Sequence, residues 1–318
     1  MSRIDVNTML TFLGRSISSI NQNKVNGMLA EIDLRNTLTA LGYGDNISQG
    51  GWIVRNVGDG IFAHHTSVLF PMTIEPNIDY TVNRVLEAAP HGLHTICSTM
   101  HQIGVNSFYC VPSIQTNNDF ASISWQIKQL GIPVSPAYAE LITRITNFSL
   151  RTRNYNFLRY HTAANIIPIA SLADEFTKEH LRVSFQNHFM SEMSDIDGIF
   201  WGQQFTYPLE IKEKTVANDS KVGYYFGIDV GPFVKLAFYA AKKGNLHSLF
   251  FVREINNTTD RNLVNWWFIT FDRLAQYASW VSVGGGRNMQ GGGSTVVKVP
   301  RAEFFPLNAA NFVFTDST

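Results

Sequence analysis

The chain has 318 residues, 45% of them hydrophobic and 16% charged, which is enough apolar material for one large domain or two modest ones and excludes a disordered chain. Lysine plus arginine and aspartate plus glutamate each total 25, so no global field draws the protein toward nucleic acid, and any such surface must be local. Two cysteines, Cys97 and Cys110, exclude a disulfide framework or a four-cysteine zinc site and fit a reducing cytoplasm.

Apolar residues at three- and four-residue steps predict helices over 6–20 and 28–41, the second stopped near Gly42. Short strands are expected at 52–57 and 66–70, helices at 79–89 and 92–103, a strand at 107–111 and a helix at 120–130 broken by Pro133 and Pro136. The stretch 150–161, LRTRNYNFLRYH, interleaves Arg151, Arg153 and Arg159 with Asn154, Tyr155 and Tyr160. Arginines hold phosphates or read guanine edges and aromatic rings stack on bases, so this is the best basic patch. A connecting segment whose rings pack and whose arginines pair with carboxylates is the equal alternative.

A helix over 172–190 follows, with Ser171 as its N-cap, then strands at 197–201 and 207–214 joined as a hairpin. A helix over 229–243, strands LHSLFFVREI and NWWFITF, a helix over 272–281, a glycine-rich loop over 284–293 carrying Arg287, and a strand over 294–299 complete the chain. The order predicts an α/β fold, a mixed β-sheet flanked by helices. It divides at a soft boundary into a mainly helical α+β N-terminal region, 1–165, and a second region, 166–318. No apolar run is long enough to span a bilayer and no basic leader opens the chain, so a soluble cytoplasmic protein is expected.

The chemistry lies in SDIDGIFWGQQFTYPLEIKEKT, where Asp197 is followed thirteen positions later by Glu210 and then by Lys212. Alternation along a strand puts Glu210 and Lys212 on one face about 6.7 Å apart. If the strand of Asp197 lies alongside, two hard carboxylates and an ammonium converge, which is what phosphodiester hydrolysis with a divalent cation requires. Without that convergence the three groups form the charged face of an exposed hairpin.

These residues, with their flanking elements, resemble the PD-(D/E)xK nuclease superfamily of restriction endonucleases, Holliday-junction resolvases and repair nucleases, over roughly 172–305. The resemblance implies a restriction-endonuclease-like core in which a helix precedes the acidic strand, a helix follows the E-x-K strand and two further strands close the sheet. It implies Asp197, Glu210 and Lys212 as catalytic residues. Asp197, Glu210 and the backbone carbonyl of Ile211 would hold Mg2+, with Mn2+ as a substitute, and a helix glutamate, Glu179 ahead of Glu175 or Glu192, would assist. Asp195 competes with Asp197 for the metal, and Ile196 stands where the family has proline.

Lys235 and Arg287 join Arg151, Arg153, Tyr155 and Arg159 as candidate contacts to nucleic acid. The implied activity is that of a type II restriction endonuclease on double-stranded DNA, working as a homodimer beside a cognate methyltransferase encoded nearby, with no membrane partner. A repair or recombination nuclease and a non-catalytic nucleic-acid-binding protein on the same sheet are the alternatives.

Overall fold

The computed structural model describes residues 2–16, 22–56, 66–81, 89–102, 104–134, 136–152, 162–202, 204–240, 246–279, 281–287 and 293–313. In chain order the elements are α1 (Val6–Ser16), α2 (Gln22–Leu38), β1 (Ile47–Asn56), β2 (Thr66–Pro71), α3 (His91–Gln102), β3 (Asn106–Ile114), β4 (Ile123–Leu130), β5 (Ala139–Glu140), α4 (Leu141–Arg144) and α5 (Ile169–His188). There follow β6 (Ser191–Trp201), β7 (Thr206–Lys214), β8 (Ala217–Asp219), β9 (Gly223–Asp229), α6 (Val230–Ala240), β10 (Leu249–Ile255), β11 (Leu263–Thr270), α7 (Phe271–Tyr277), β12 (Val283–Arg287), β13 (Gly293–Pro300) and β14 (Phe305–Pro306). The fold is mixed α/β, with parallel and antiparallel strands flanked by helices. Among the described residues no helix is long and apolar enough to cross a membrane.

The chain forms two compact units that interleave along the sequence and coincide with neither 1–165 nor 166–318. Unit 1 is Met1–Val25 with Gly50–Ile196, and unit 2 is Asn26–Gln49 with Asp197–Thr318. In unit 1, β1 runs antiparallel to β2, β2 parallel to β3, and β3 antiparallel to β4, which pairs in turn with β5. Helices α1 and α5 pack together through the edge-to-face pair Phe12 and Phe176, and the Trp52 indole donates to the Lys178 carbonyl at 2.7 Å.

The helix expected at 120–130 is instead strand β4. Ile123, Trp125 and Ile127 alternate inward, and Tyr109 pairs with Lys128 across the ladder. Period two, with a β-branched residue and an aromatic side by side on the buried face, outweighs a three-residue step to Leu130. Ser171 lies inside α5 rather than capping it; the chain enters at Pro168, whose fixed φ suits a helix start. The expected helix at 79–89 falls mostly outside the described residues. Both cysteines are buried, and burial pushes the Cys97 thiol up to about 12, so neither is a ready nucleophile.

α5 places His180 in the core of unit 1. The Trp125 indole donates to its Nδ1 at 3.2 Å, which leaves the ring proton on Nε2 facing the Phe120 carbonyl at 2.9 Å. Desolvation pushes its pKa down to about 4 against the opposing pull of the Phe120 carbonyl and the Glu179 charge. The unfolded chain therefore takes this proton first, and stability should fall as pH drops from about 6.5 toward 4, by on the order of 3 kcal/mol. Urea unfolding at pH 7, 5.5 and 4.5 measures this. A midpoint that holds constant over that range, or an acid loss equally steep in His180→Gln, would contradict the assignment.

In unit 2 a sheet runs in the order β6, β7, β10, β11, β14. The β6–β7 pair is the expected hairpin, β7 and β10 are parallel, and the β10–β11 and β11–β14 pairs are antiparallel. A parallel neighbour requires a crossover, and α6 lies on it. One face of the sheet buries Leu209, Ile211, Leu249, Phe251 and Phe268 against the α2 stripe Ala30, Leu34 and Leu38. On the other, Phe250, Val252 and Ile269 pack with Leu236 of α6, Leu274 of α7 and Phe226 of β9.

A second, antiparallel sheet has the order β12, β13, β9, β8. The supposed glycine-rich loop thus starts as a strand, with Gly284 paired to Thr295. Side-chain patterns are blind to a ladder built from glycine backbone. Arg287 ends β12, opposite Gly293.

Candidate functional site

β6 and β7 stay in register from Trp201 opposite Thr206 to Gly198 opposite Leu209, and the next position brings Asp197 opposite Glu210. There the ladder gives way to a side-chain bond, in which the Asp197 carboxylate accepts from the Ile211 backbone N–H at 2.7 Å. Both carboxylates are buried, Asp197 at 2% exposure and Glu210 at 1%. Like charges directly opposite on adjacent strands repel and persist only where cations offset them.

Lys212, two residues on and on the same face as Glu210, supplies one such cation. Its Nζ lies 2.7 Å from Glu210 Oε1 and 3.8 Å from Asp197 Oδ2. Lys235 of α6 supplies another, 2.5 Å from Glu210 Oε2. The sequence offered Lys235 as a contact to nucleic acid; its ammonium binds the central glutamate directly. The register of β7 with β10 explains the placement, because Glu210 and Lys212 stand beside Phe250 and Val252, the face that packs against α6.

A further acid comes from a residue the sequence reasoning passed over. Glu31, 9% exposed on α2, brings a carboxylate oxygen within 4.8 Å of one from Asp197. The available signal was its setting, an acid between Ala30 and Ile32, both of which are buried. Asp195 lies two residues before Asp197 on β6 and so shares its side of the strand, but it is less buried.

The helix glutamates proposed from sequence are otherwise engaged. In unit 1, Glu179 is held by Lys24 at 2.7 Å and by the Arg182 guanidinium through two bonds of 2.9 and 2.5 Å. Burial alone would raise its pKa, but the Arg182 and Lys24 charges bring it down to about 2. Glu192 is exposed and pairs with Arg55, and Glu175 is buried within α5. Of the proposed basic patch, Arg153, Tyr155 and Arg159 lie outside the described residues. Arg151 is half-buried, its backbone N–H donating to the His188 carbonyl.

The donor set suits a small hard cation. Asp197 and Glu31 bring carboxylate oxygens within 4.8 Å of each other, and magnesium takes one or two such groups while keeping several waters. The Lys212 ammonium between Asp197 and Glu210 marks where positive charge is drawn. The arrangement can hold a divalent ion beside an ammonium, which is the pairing needed to bind a phosphate and neutralise charge developing on it. In comparisons with known proteins, no family model, no curated protein and no solved structure matches this chain.

Proposed function

We propose that this chain is a magnesium-dependent endonuclease that hydrolyses phosphodiester bonds in double-stranded DNA. The observation that carries the reading is the meeting of two buried carboxylates, Asp197 and Glu210, with the Lys212 ammonium at the point where β6 and β7 part. The order of elements in unit 2 supports it. α2 comes first, then β6 with the acid, β7 with Glu210 and Lys212, α6 as the crossover, and β10 and β11 to close the sheet. That succession resembles the PD-(D/E)xK core, with α2 in the position the sequence reasoning gave to 172–190.

On this reading Asp197 and Glu210 hold the ion, with the Ile211 carbonyl and Glu31 as further oxygen donors. A bound Mg2+ or Mn2+ supplies Lewis acidity toward a phosphate oxygen and makes its water more acidic. Lys212, as an ammonium, orients the attacking water and offsets charge on the phosphoryl oxygens. Lys235 pairs with Glu210 and fixes its direction.

Within nuclease chemistry we favour restriction of foreign DNA in the cytoplasm, because unit 1 provides a large surface beyond the catalytic unit on which a target could be recognised. A homodimer would bring two sites to the two strands of a palindrome, and a companion methyltransferase would protect the host. One observation favours a non-catalytic reading: Glu210 already forms ion pairs with both Lys212 and Lys235.

Incubation of supercoiled plasmids and unmodified phage DNA with Mg2+, Mn2+, Ca2+ or a chelator separates the two. Nicked and linear products should form with Mg2+ and Mn2+ and vanish with the chelator. Intact DNA under every condition overturns the nuclease.

A further inference from the structure

Strand β7 presents a third charged group on the site face. Glu210, Lys212 and Lys214 alternate along it, whereas Glu213 points the other way and is held by Arg253 at 3.0 Å and Arg261 at 2.5 Å. Lys214 is held far more loosely. Its ion pair with Asp229, at the end of β9, is 3.5 Å long, beyond the roughly 2.7–2.9 Å of a strong charge-assisted bond. The side chain is nevertheless three-quarters buried, at 25% exposure.

Desolvation lowers its pKa and the neighbouring Lys212 charge lowers it further, while Asp229 and Glu210 oppose them. A largely desolvated ammonium beside another ammonium, held by Asp229 only through a long contact, is further stabilised by an anion that reaches it. The spacing selects the anion. Alternate residues of a strand are about 6.7 Å apart. Successive phosphates of one DNA strand rise about 3.4 Å along the axis and, because they also wind around it, stand at a comparable separation through space.

Resting on the nuclease reading above, we infer that Lys214 holds the phosphate next to the scissile one on the same strand, so that β7 grips two consecutive phosphates through Lys212 and Lys214. Lys214 is then a positioning residue that sets which bond lies over Asp197 and Glu210. It gives up the long contact to Asp229 when the strand enters.

The test measures binding of a mixed-sequence DNA duplex by fluorescence anisotropy in Ca2+ across a salt series, for the parent, Lys214→Gln and Lys214→Arg. Loss of one phosphate contact should reduce the magnitude of the slope of log K against log salt by about 0.9 in Lys214→Gln, with Lys214→Arg restoring it. A merely structural ion pair would alter thermal stability and leave that slope unchanged. If the parent cuts DNA with Mg2+ but the slope does not change in Lys214→Gln, the phosphate contact is overturned while the nuclease stands. If the parent neither binds nor cuts DNA, both fall.

Discussion

Lys212→Ala should lower Mg2+-dependent cleavage by about 10³-fold, the scale on which a lost electrostatic stabiliser acts. The same change should also destabilise the fold, by about 2 kcal/mol, because the two buried acids lose one of the cations that offsets them, although the lysine side chain is one-third exposed and Glu210 retains Lys235 at 2.5 Å. Cation affinity should move the opposite way from activity. The ammonium now lies 2.7 Å from Glu210 and 3.8 Å from Asp197, where it repels an incoming divalent ion, so its removal should tighten Mn2+ binding in calorimetric titration. Single-turnover cleavage within tenfold of the parent would remove Lys212 from the chemistry. Weakened metal binding would mean that it orders the carboxylates rather than competing for them.

Glu210→Ala should destabilise the protein by about 3 kcal/mol as well as abolish cleavage. The glutamate is 1% exposed and forms ion pairs with two lysines, of which Lys235 is itself only 12% exposed, and its loss leaves both ammonium groups without it. Breaking a buried pair from one side costs more than deleting it whole, so Glu210→Ala combined with Lys235→Met should regain most of the stability and none of the activity. Urea unfolding of the two variants and the parent reads this directly. Equal stability of Glu210→Ala and the parent would show that the network carries no folding energy.

The hairpin at the centre of the site was legible because its information is local. Alternation in YPLEIKEK places Glu210 and Lys212 on one face, and the short link from Trp201 to Thr206 permits only an antiparallel neighbour. Glu31 was illegible for the opposite reason. Its approach to Asp197 depends on α2 packing against strands made some 170 residues later, as the interval from 31 to 197 requires, and no periodicity in either segment records that partnership.

The same remoteness hid the interleaving. A division at 165 follows the run of helices and prolines along the chain, whereas the compact units follow which apolar faces cover each other. Strand β4 was misread because Ile127 and Leu130 satisfy a helical step as well as a strand end, and the pairing with β3 that decides between them is tertiary. Glu179 was an attractive ligand by position on its helix, but Arg182 one turn on and Lys24 from a distant segment claim it.

The split composition of unit 2 bears on how the protein is made. Ala30, Leu34 and Leu38 emerge from the ribosome long before Leu249 and Phe251, the residues that will cover them. At about 5–20 residues per second, that leaves a greasy stripe on the nascent chain for roughly 10 to 40 s, an interval in which chaperones would be expected to bind it. Translation must therefore run well past β7 before Glu31 can settle beside Asp197. No truncated product ending short of β10 would carry an assembled acidic centre.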